Sequence, residues 1–395
     1  MNIDFYENNS CFTRIMVMGV GGGGCNSINR MIEADVRGVE FVAVNTDKQA
    51  LANCRATKKI VIGEKLTGGR GAGALPEIGE KAAEETSEII KEALKGVNML
   101  FVAAGMGGGT GTGAAPVISK IAKELGCLTI GVVTKPFEFE KKIKGRLAEQ
   151  GIDKLKESTD TLIVISNEAL FDGNNNIPLL EAWRRADEVL KQGVQGISDL
   201  IVSPGEINID FADVETVMKN KGQALMGVGI ARGENAAVEA VTLAIEKPLM
   251  SDLVVSNAKA LLVNVTGSSR MTLKQFSDVM RFIENIASED ALVIPGQSFD
   301  DSLEDAIKVT IVATGFDDKR RPQIKQQQEI VENNEEEVSD NVYSHDEFID
   351  LLKSSTKVTG RSIEEPAFLR KFNSRKGKTD ENGENFLTKK DNLFE

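Results

Sequence analysis

Residues 107–113 of the chain, GGGTGTG, have the composition of a loop that binds phosphate. The loop follows an apolar run at 99–104 and precedes residues 114–122, which predict a helix. Glycines let backbone N–H groups approach an anion without obstruction by a Cβ atom, and a helix N-terminus adds partial positive charge. Pro116 fits the first turn of such a helix, because that turn has N–H groups to spare. The loop lacks the lysine of P-loop NTPases, so backbone N–H groups and threonine hydroxyls are predicted to hold the anion.

Two further glycine-rich segments lie at 19–24 and 68–74. The first contains G-x-G-x-x-G, with Asp47 at a suitable distance beyond it, and alone it indicates a dinucleotide-binding Rossmann domain. A Rossmann oxidoreductase that binds reduced nicotinamide is therefore one alternative. Three glycine loops are more than one pyrophosphate needs, and no histidine or obvious hydride-transfer base follows them. A triphosphate, which carries more charge, suits the three loops better.

Asp210 and Asp213 form a second candidate site, in the segment 208–213 (NIDFAD). If Asp213 lies in the first turn of a helix, both carboxylates can face the same way. Carboxylates in that arrangement can orient and polarise a water for attack on a phosphoryl group. An aspartate that caps a helix N-terminus is the alternative interpretation. Because both acids follow a long helix, we expect them on the side opposite the glycine loops, too far to act on the same molecule's nucleotide.

The elements that must position these residues alternate between apolar strands and helices from about residue 13 to 167. Strands are predicted at 14–18, 41–44, 59–62, 99–104, 128–133 and 161–165, and helices from Asn26, from 75 to 95 and from 114 to 122. This alternation indicates a parallel sheet that is covered on both faces, with ligands at the carboxyl ends of its strands. Residues 178–201 carry apolar side chains at helical spacing and predict one long connecting helix. Residues 203–316 predict a smaller α/β unit with strands at 224–231, 261–265 and 307–313 and helices at 234–246 and 272–287.

Composition excludes several classes of function. The net charge of −13 disfavours non-specific binding to nucleic acid or to a membrane surface. His345 is the single histidine and is remote from every motif, which argues against histidine-based catalysis and histidine-ligated metals. The four scattered cysteines predict reduced thiols in a cytoplasmic protein. No apolar run approaches the roughly 18 residues of a membrane helix, and the N-terminus lacks a basic signal-peptide region.

The segment 103–116 (AAGMGGGTGTGAAP) resembles the signature loop of the tubulin superfamily, and within it that of the FtsZ family of bacterial cell-division GTPases. The similarity extends from about residue 13 to 316. It implies a GTPase activated by polymerisation, which assembles head to tail into the filaments of the division ring, in the cytoplasm at mid-cell. It also implies a Rossmann-like parallel-sheet GTP-binding domain, a central helix and a smaller α/β domain. The expected segments are a flexible N-terminus (1–12), the GTP-binding domain (13–177), the central helix (178–202), the α/β domain (203–316), a disordered linker (317–362), an adaptor-binding peptide (363–371) and an extension without an assigned role (372–395).

The resemblance implies a nucleotide site built from several loops. Its members are Gly22, Gly23, Gly24, Asn26, Asn45 and Asp47 around the nucleotide, Ala72 and Gly73 at the γ-phosphate, Gly109, Thr110 and Gly111 as the phosphate grip, Glu140 at the ribose, Lys144 beside it, Asn167 and Asp187 at the guanine edge, and Trp183 stacked on guanine. Asp210 and Asp213 match catalytic acids that a neighbouring subunit inserts over the γ-phosphate. Magnesium is expected on the phosphates, with no side-chain ligand assigned. The peptide expected to bind membrane-attached division adaptors centres on Pro366, Ala367, Phe368, Leu369 and Arg370.

The chain departs from the family's usual pattern at four positions. Lys141 and Lys144 stand where glycine and arginine are usual, Trp183 replaces a phenylalanine and Leu75 replaces an asparagine. A lysine keeps the charge of arginine but loses its bidentate fork. A filament scaffold that assembles on nucleotide with little hydrolysis is therefore a second alternative.

Overall fold

The computed structural model describes residues 13–140, 142–171, 178–202, 209–246 and 255–316. The predicted N-terminal segment, the linker, the adaptor-binding peptide and the extension all lie outside the described residues.

Among the described residues, ten strands form one sheet. They are β1 (Ile15–Val20), β2 (Val39–Asn45), β3 (Lys58–Val61), β4 (Met99–Gly105), β5 (Leu128–Lys135), β6 (Thr161–Ser166), β7 (Gly222–Ala231), β8 (Ala260–Gly267), β9 (Leu292–Phe299) and β10 (Ile307–Thr314). Their order is β3-β2-β1-β4-β5-β6-β7-β10-β8-β9. All neighbouring pairs from β3 to β6 are parallel, as the apolar strands predicted. β7, which the sequence predicts within the smaller α/β unit, extends this sheet by pairing parallel with β6. β10 pairs antiparallel with β7 and β8, and β8 pairs parallel with β9.

Helices cover both faces of the sheet. They are α1 (Gly21–Glu33), α2 (Lys48–Ala52), α3 (Glu64–Thr67), α4 (Pro76–Glu85), α5 (Ser87–Leu94), α6 (Thr110–Glu124), α7 (Lys142–Ser158), α8 (Leu179–Val202), α9 (Phe211–Met218), α10 (Ala236–Glu246) and α11 (Leu273–Ile286). Successive residues of a strand face opposite sides of a sheet. Met16 and Met18 of β1 accordingly pack in the core under α4–α7, whereas Ile15 and Val17 pack in the core under α8 and α9. The predicted long helix is α8, which lies within one residue of its expected ends.

Two helices begin earlier than the sequence predicts. α1 begins at Gly21 rather than at Asn26, and α6 begins at Thr110 rather than at residue 114. The glycine-rich segments therefore supply the first helical turns as well as the loops before them. The prediction that Pro116 lies in the first turn is wrong, because it is the seventh residue of α6. At that position its missing N–H removes the hydrogen bond to the carbonyl of residue 112.

The segment 75–95, predicted as one helix, is divided into α4 and α5 at Thr86. The buried Thr86 hydroxyl accepts a hydrogen bond from the Gly63 N–H at 3.0 Å and donates one to the Ala82 carbonyl at 3.1 Å. These contacts attach the helix break to the loop after β3. The smaller α/β part contains β9 in addition to the three predicted strands. The sequence did not predict β9, because Pro295 and Gly296 are both unfavourable in the interior of a strand; β9 tolerates them as an edge strand.

Candidate functional site

The three glycine loops meet at the carboxyl ends of the parallel strands. A Cβ atom built on Gly21, after β1, would lie 2.9 Å from the Gly111 nitrogen, after β4. A Cβ atom on Gly109 would lie 2.8 Å from the Leu75 nitrogen, at the end of the third loop. The hydroxyls of Thr46 and Thr110 are 2.7 Å apart, which joins the loop after β2 to the same group. The sequence thus places these loops at one edge, as predicted, and the structure shows them in direct contact.

Three glycines at this edge face open space instead of their neighbours. A Cβ atom on Gly22, Gly73 or Gly108 would have no other group within 4 Å. α1 and α6 both begin here, and neither carries an acidic residue in its first turn. Helix N-termini attract anions through their unpaired N–H groups and partial positive charge. The result is a concave backbone surface that fits a chain of phosphates.

Asn45 and Asp47 fix the shape of the loop after β2. Asp47 caps α2, and its carboxylate accepts hydrogen bonds from the N–H groups of Gln49 at 2.8 Å and Ala50 at 3.2 Å. The buried Asn45 accepts from the Asp47 N–H at 3.3 Å. Asp47 also forms a β-bridge with Arg70 in the third loop. Asn45 and Asp47 therefore belong to the loop cluster. Asn26 lies exposed on α1, two residues after the glycine-rich segment 19–24.

Glu140 and Lys144 form an ion pair beside the cluster. The Lys144 Nζ donates to Glu140 Oε2 at 2.8 Å, and the Phe137 N–H donates to Glu140 Oε1 at 3.1 Å. The Lys144 carbonyl oxygen lies 2.8 Å from the Cβ position of Gly107, so the start of α7 packs on the glycine loop. Lys144 thus partners Glu140, which neutralises a carboxylate close to the surface that suits an anion.

Asn167 directly follows β6, and Trp183 and Asp187 lie on α8 at the same edge. Asn167 is 3% exposed, and its Oδ1 atom has no hydrogen-bond partner among the described residues. Burial raises the pKa of Asp187 to about 6, although the positive charge of Arg30 opposes that shift. Trp183 is 39% exposed, and its ring meets that of Phe137 edge-on at 5.2 Å. A buried acceptor without a donor costs about 1–3 kcal/mol. A flat ring with N–H donors on its edge would satisfy Asn167 and Asp187 and could stack on Trp183.

Asp210 and Asp213 do not join this cluster. Asp210 caps α9, and its carboxylate accepts from the Asp213 N–H at 2.8 Å, so the capping interpretation is confirmed. The preceding Ile209 packs with Leu200 around Gly296. Leu200 follows Asp187 by 13 residues within α8. At 1.5 Å per residue, the two acids are separated from Asp187 by about 20 Å along the helix axis.

Sequence reasoning missed three residues of the site. Gly108 lines the open surface, Thr46 bonds Thr110, and Phe137 supports both Glu140 and Trp183. Gly108 belongs to the loop 107–113, so the loop's composition carried its signal. Thr46 and Phe137 have no comparable local signal, because their contacts join segments that are distant in sequence.

Comparisons with known proteins agree with this geometry. Residues 14–175 match the family model for the GTPase domain of the Tubulin/FtsZ family, and residues 222–317 match that for the C-terminal domain of the FtsZ family. The solved structure of an empty FtsZ dimer from M. jannaschii is 44% identical to the chain, with a TM-score of 0.73, and the match covers 77% of this chain and 88% of that one. The chain belongs to the FtsZ family. It accordingly carries a tubulin/FtsZ GTPase domain, which implies binding of GTP and GDP.

Two other solved structures define the limits of the likeness. A mutant FtsZ from M. jannaschii is 43% identical with a TM-score of 0.74, over 78% of this chain and 92% of that one. CetZ2 from Haloferax volcanii is 20% identical with a TM-score of 0.64, over 76% of this chain and 92% of that one, and shares the fold. Within the FtsZ-family chain, Asp187, Asp210 and Asp213 fall between the segments matched by the two family models. The two family models therefore do not bear on the roles of these three residues.

Across the described residues, no group of three or more histidine, cysteine, aspartate or glutamate side chains could hold a metal ion. Over the same residues, no helix is both long enough and apolar enough to span a membrane.

Proposed function

We propose that this chain binds GTP on the three-loop surface and hydrolyses it between the subunits of a head-to-tail filament. The observation that carries this proposal is that Ile209, just before α9, packs beside Leu200, which lies about 20 Å along α8 from Asp187 on the base side of the loops. Acids at that distance act on another subunit's nucleotide if the subunits stack with α9 against the glycine loops. A heterologous contact of that kind does not close on itself and therefore builds filaments.

Exposed apolar side chains around the loops support a docking partner there. Phe139, Ile143, Leu179 and Leu180 are 59%, 68%, 59% and 64% exposed, and Trp183 lies among them. Contiguous exposed apolar groups mark interaction surfaces in soluble proteins. A second copy of this chain is the occupant that would also bring Asp210, exposed at the start of α9, to the nucleotide.

Each part of the site has a distinct task in this proposal. The backbone around Gly22, Gly73 and Gly108 cradles the phosphates, while Asn167 and Asp187 accept hydrogen bonds from the guanine edge. Asp210 and Asp213 of the neighbouring subunit orient and polarise the attacking water. Magnesium, held by phosphate oxygens and water, would neutralise charge on the phosphates.

The wider role that we propose is assembly of the division ring. The chain would work in the cytoplasm, concentrate at mid-cell during septation and bind membrane-attached adaptors through residues 363–371. The support is membership of the FtsZ family, together with the assemblies of similar proteins, which are a dimer for the M. jannaschii FtsZ and a GTPγS-bound protofilament for CetZ2.

Asp213→Ala tests the shared site. We expect the variant to bind GTP and to assemble as the wild type does, while phosphate release per subunit falls by about 100-fold or more, the usual contribution of a positioned acid or base. Asp153→Ala, at an exposed position on α7, is the matched control and should be neutral. Hydrolysis at the wild-type rate, or loss of GTP binding in parallel with hydrolysis, would contradict the proposed role. Assembly of the wild type on GTP without phosphate release would favour the scaffold alternative.

A further inference from the structure

Two buried threonine hydroxyls hold the C-terminal end of α9. Thr161, the first residue of β6, donates a hydrogen bond to the Met218 carbonyl oxygen. Thr314, the last residue of β10, donates to the Val217 carbonyl oxygen at 2.7 Å. The last four carbonyls of a helix have no partner within it. These hydroxyls, both fully buried, satisfy two of those four carbonyls.

The two threonines reach α9 from opposite sides of β7. β6 and β10 are the neighbours of β7 in the sheet. Thr161 pairs with Gly222, where β7 begins, and β10 runs antiparallel so that its end lies at the same edge. The Gly222 N–H also donates to the Asp160 carbonyl, at 3.0 Å. The chain that leaves α9 is therefore attached to strands on both sides of it.

The opposite end of α9 is different. Val214, Val217 and Met218 are buried on one face, but Asp210 at the N-terminal end is exposed. The hydrogen bonds described above, which join α9 to β6 and β10, are all at the C-terminal end of α9. At the N-terminal end the buried Ile209 holds α9 by apolar packing around Gly296, so the direction in which the acids point depends on that packing and on the hydrogen bonds at the other end.

We propose that Thr161 and Thr314 are positioning residues, which aim Asp210 and Asp213 at the nucleotide of the neighbouring subunit. The inference rests on the proposed function of those acids. α9 has eight residues and is about 12 Å long. A tilt of about 5° at the clamped end would displace the acids by about 1 Å, and a misplacement of that size can cost on the order of 100-fold in rate. A clamp with two points of attachment resists such a tilt better than one.

Replacement of each threonine by valine removes the hydroxyl but keeps the branched shape. For Thr161→Val and Thr314→Val we expect the rate of phosphate release per assembled subunit, at saturating GTP, to fall at least fivefold. The GTP affinity of unassembled protein and the concentration threshold for assembly should stay within twofold of wild type. Thr161→Ser and Thr314→Ser, which keep the hydroxyl, should restore the rate.

Thr310→Val is the matched control. Thr310 is buried in β10, the strand that ends at Thr314. Its γ-methyl group lies 3.0 Å from the Cβ position of Gly196, so it contacts α8. The inference is overturned if the valine variants at 161 and 314 hydrolyse GTP as fast as Thr310→Val, or if the serine variants are as slow as the valine variants. Should one valine variant fail to fold, the other valine and serine pair gives the answer.

Comparison with Asp213→Ala separates the two levels of the proposal. If Asp213→Ala hydrolyses GTP normally, the trans-acting site itself is wrong. If Asp213→Ala is slow while Thr161→Val and Thr314→Val keep the wild-type rate, the acids act in trans but the threonines do not position them.

Discussion

Replacing Gly108 by alanine places a methyl group on the open surface that we assign to the phosphates. The Cβ position of Gly108 has no neighbour within 4 Å, and its φ lies outside the left-handed region, so the backbone accepts alanine without strain. The folded protein should therefore keep its stability. A phosphate oxygen bound against this backbone, however, would meet the new methyl group.

The size of the effect follows from the hydrogen bond that the methyl group displaces. A hydrogen bond to a charged group contributes about 1.5–3 kcal/mol. Since 1.4 kcal/mol corresponds to a factor of ten in affinity, GTP binding should weaken by roughly 10- to 100-fold. Guanosine, which lacks phosphates, should bind as it does to the wild type.

The prediction is tested by titrating GTP and guanosine into unassembled wild-type and variant protein and by measuring the thermal unfolding of each free protein. Gly145→Ala is the control, since its Cβ position is equally open but lies within α7. Equal GTP affinity in the two variants would refute the assignment of the open surface to the phosphates. A large loss of thermal stability in Gly108→Ala would refute the argument that the position is free.

Two further predictions concern the base side of the site. Burial raises the pKa of Asp187 to about 6, so the folded protein favours the protonated carboxyl group. The stabilisation of the fold by this protonated group is complete at pH values below the ordinary pKa of an aspartate, and it is lost as the pH rises through 6. Guanine binding needs the carboxylate, so GTP affinity should fall as pH drops from 7 to 5, and Asp187→Asn, which does not titrate, should bind GTP equally at both pH values. Trp183 is the single tryptophan of the chain, so GTP should change its fluorescence through stacking. Trp183→Ala should weaken binding by about 2- to 10-fold, the range for 0.5–1.5 kcal/mol of aromatic stacking, and equal GTP affinity in the two proteins would contradict that contact.

The sequence was sufficient for the loop cluster but not for the ends of its helices. Apolar strands followed by glycines at 19–24 and 107–113 correctly predicted a parallel sheet whose glycine-rich loops meet at one edge. Glycine and threonine are poor helix formers, so the start of α6 was predicted too late. The structure shows why glycine occurs inside that helix: a Cβ atom on Gly113 would collide with the Pro76 carbonyl, where α4 crosses α6.

The contacts on the base side of the site, and the size of its separation from Asp210 and Asp213, could not be predicted from the sequence alone. Nothing around Asn167 in the sequence indicates that its amide oxygen is buried without a donor. The spacing of Asp210 and Asp213 is equally compatible with a helix cap, which they form, and with a catalytic pair. The long helix before them did predict that they lie far from the glycine loops, but the burial of Asn167 depends on contacts between distant segments, which the sequence does not reveal.

The most direct test of the shared active site is phosphate release from GTP measured against protein concentration, with light scattering on the same samples. If neighbouring subunits supply Asp210 and Asp213, the rate per molecule should be near zero at low concentration and should rise together with scattering. A rate per molecule that stays the same at every concentration would mean that each chain carries its own catalytic groups, and it would contradict the account.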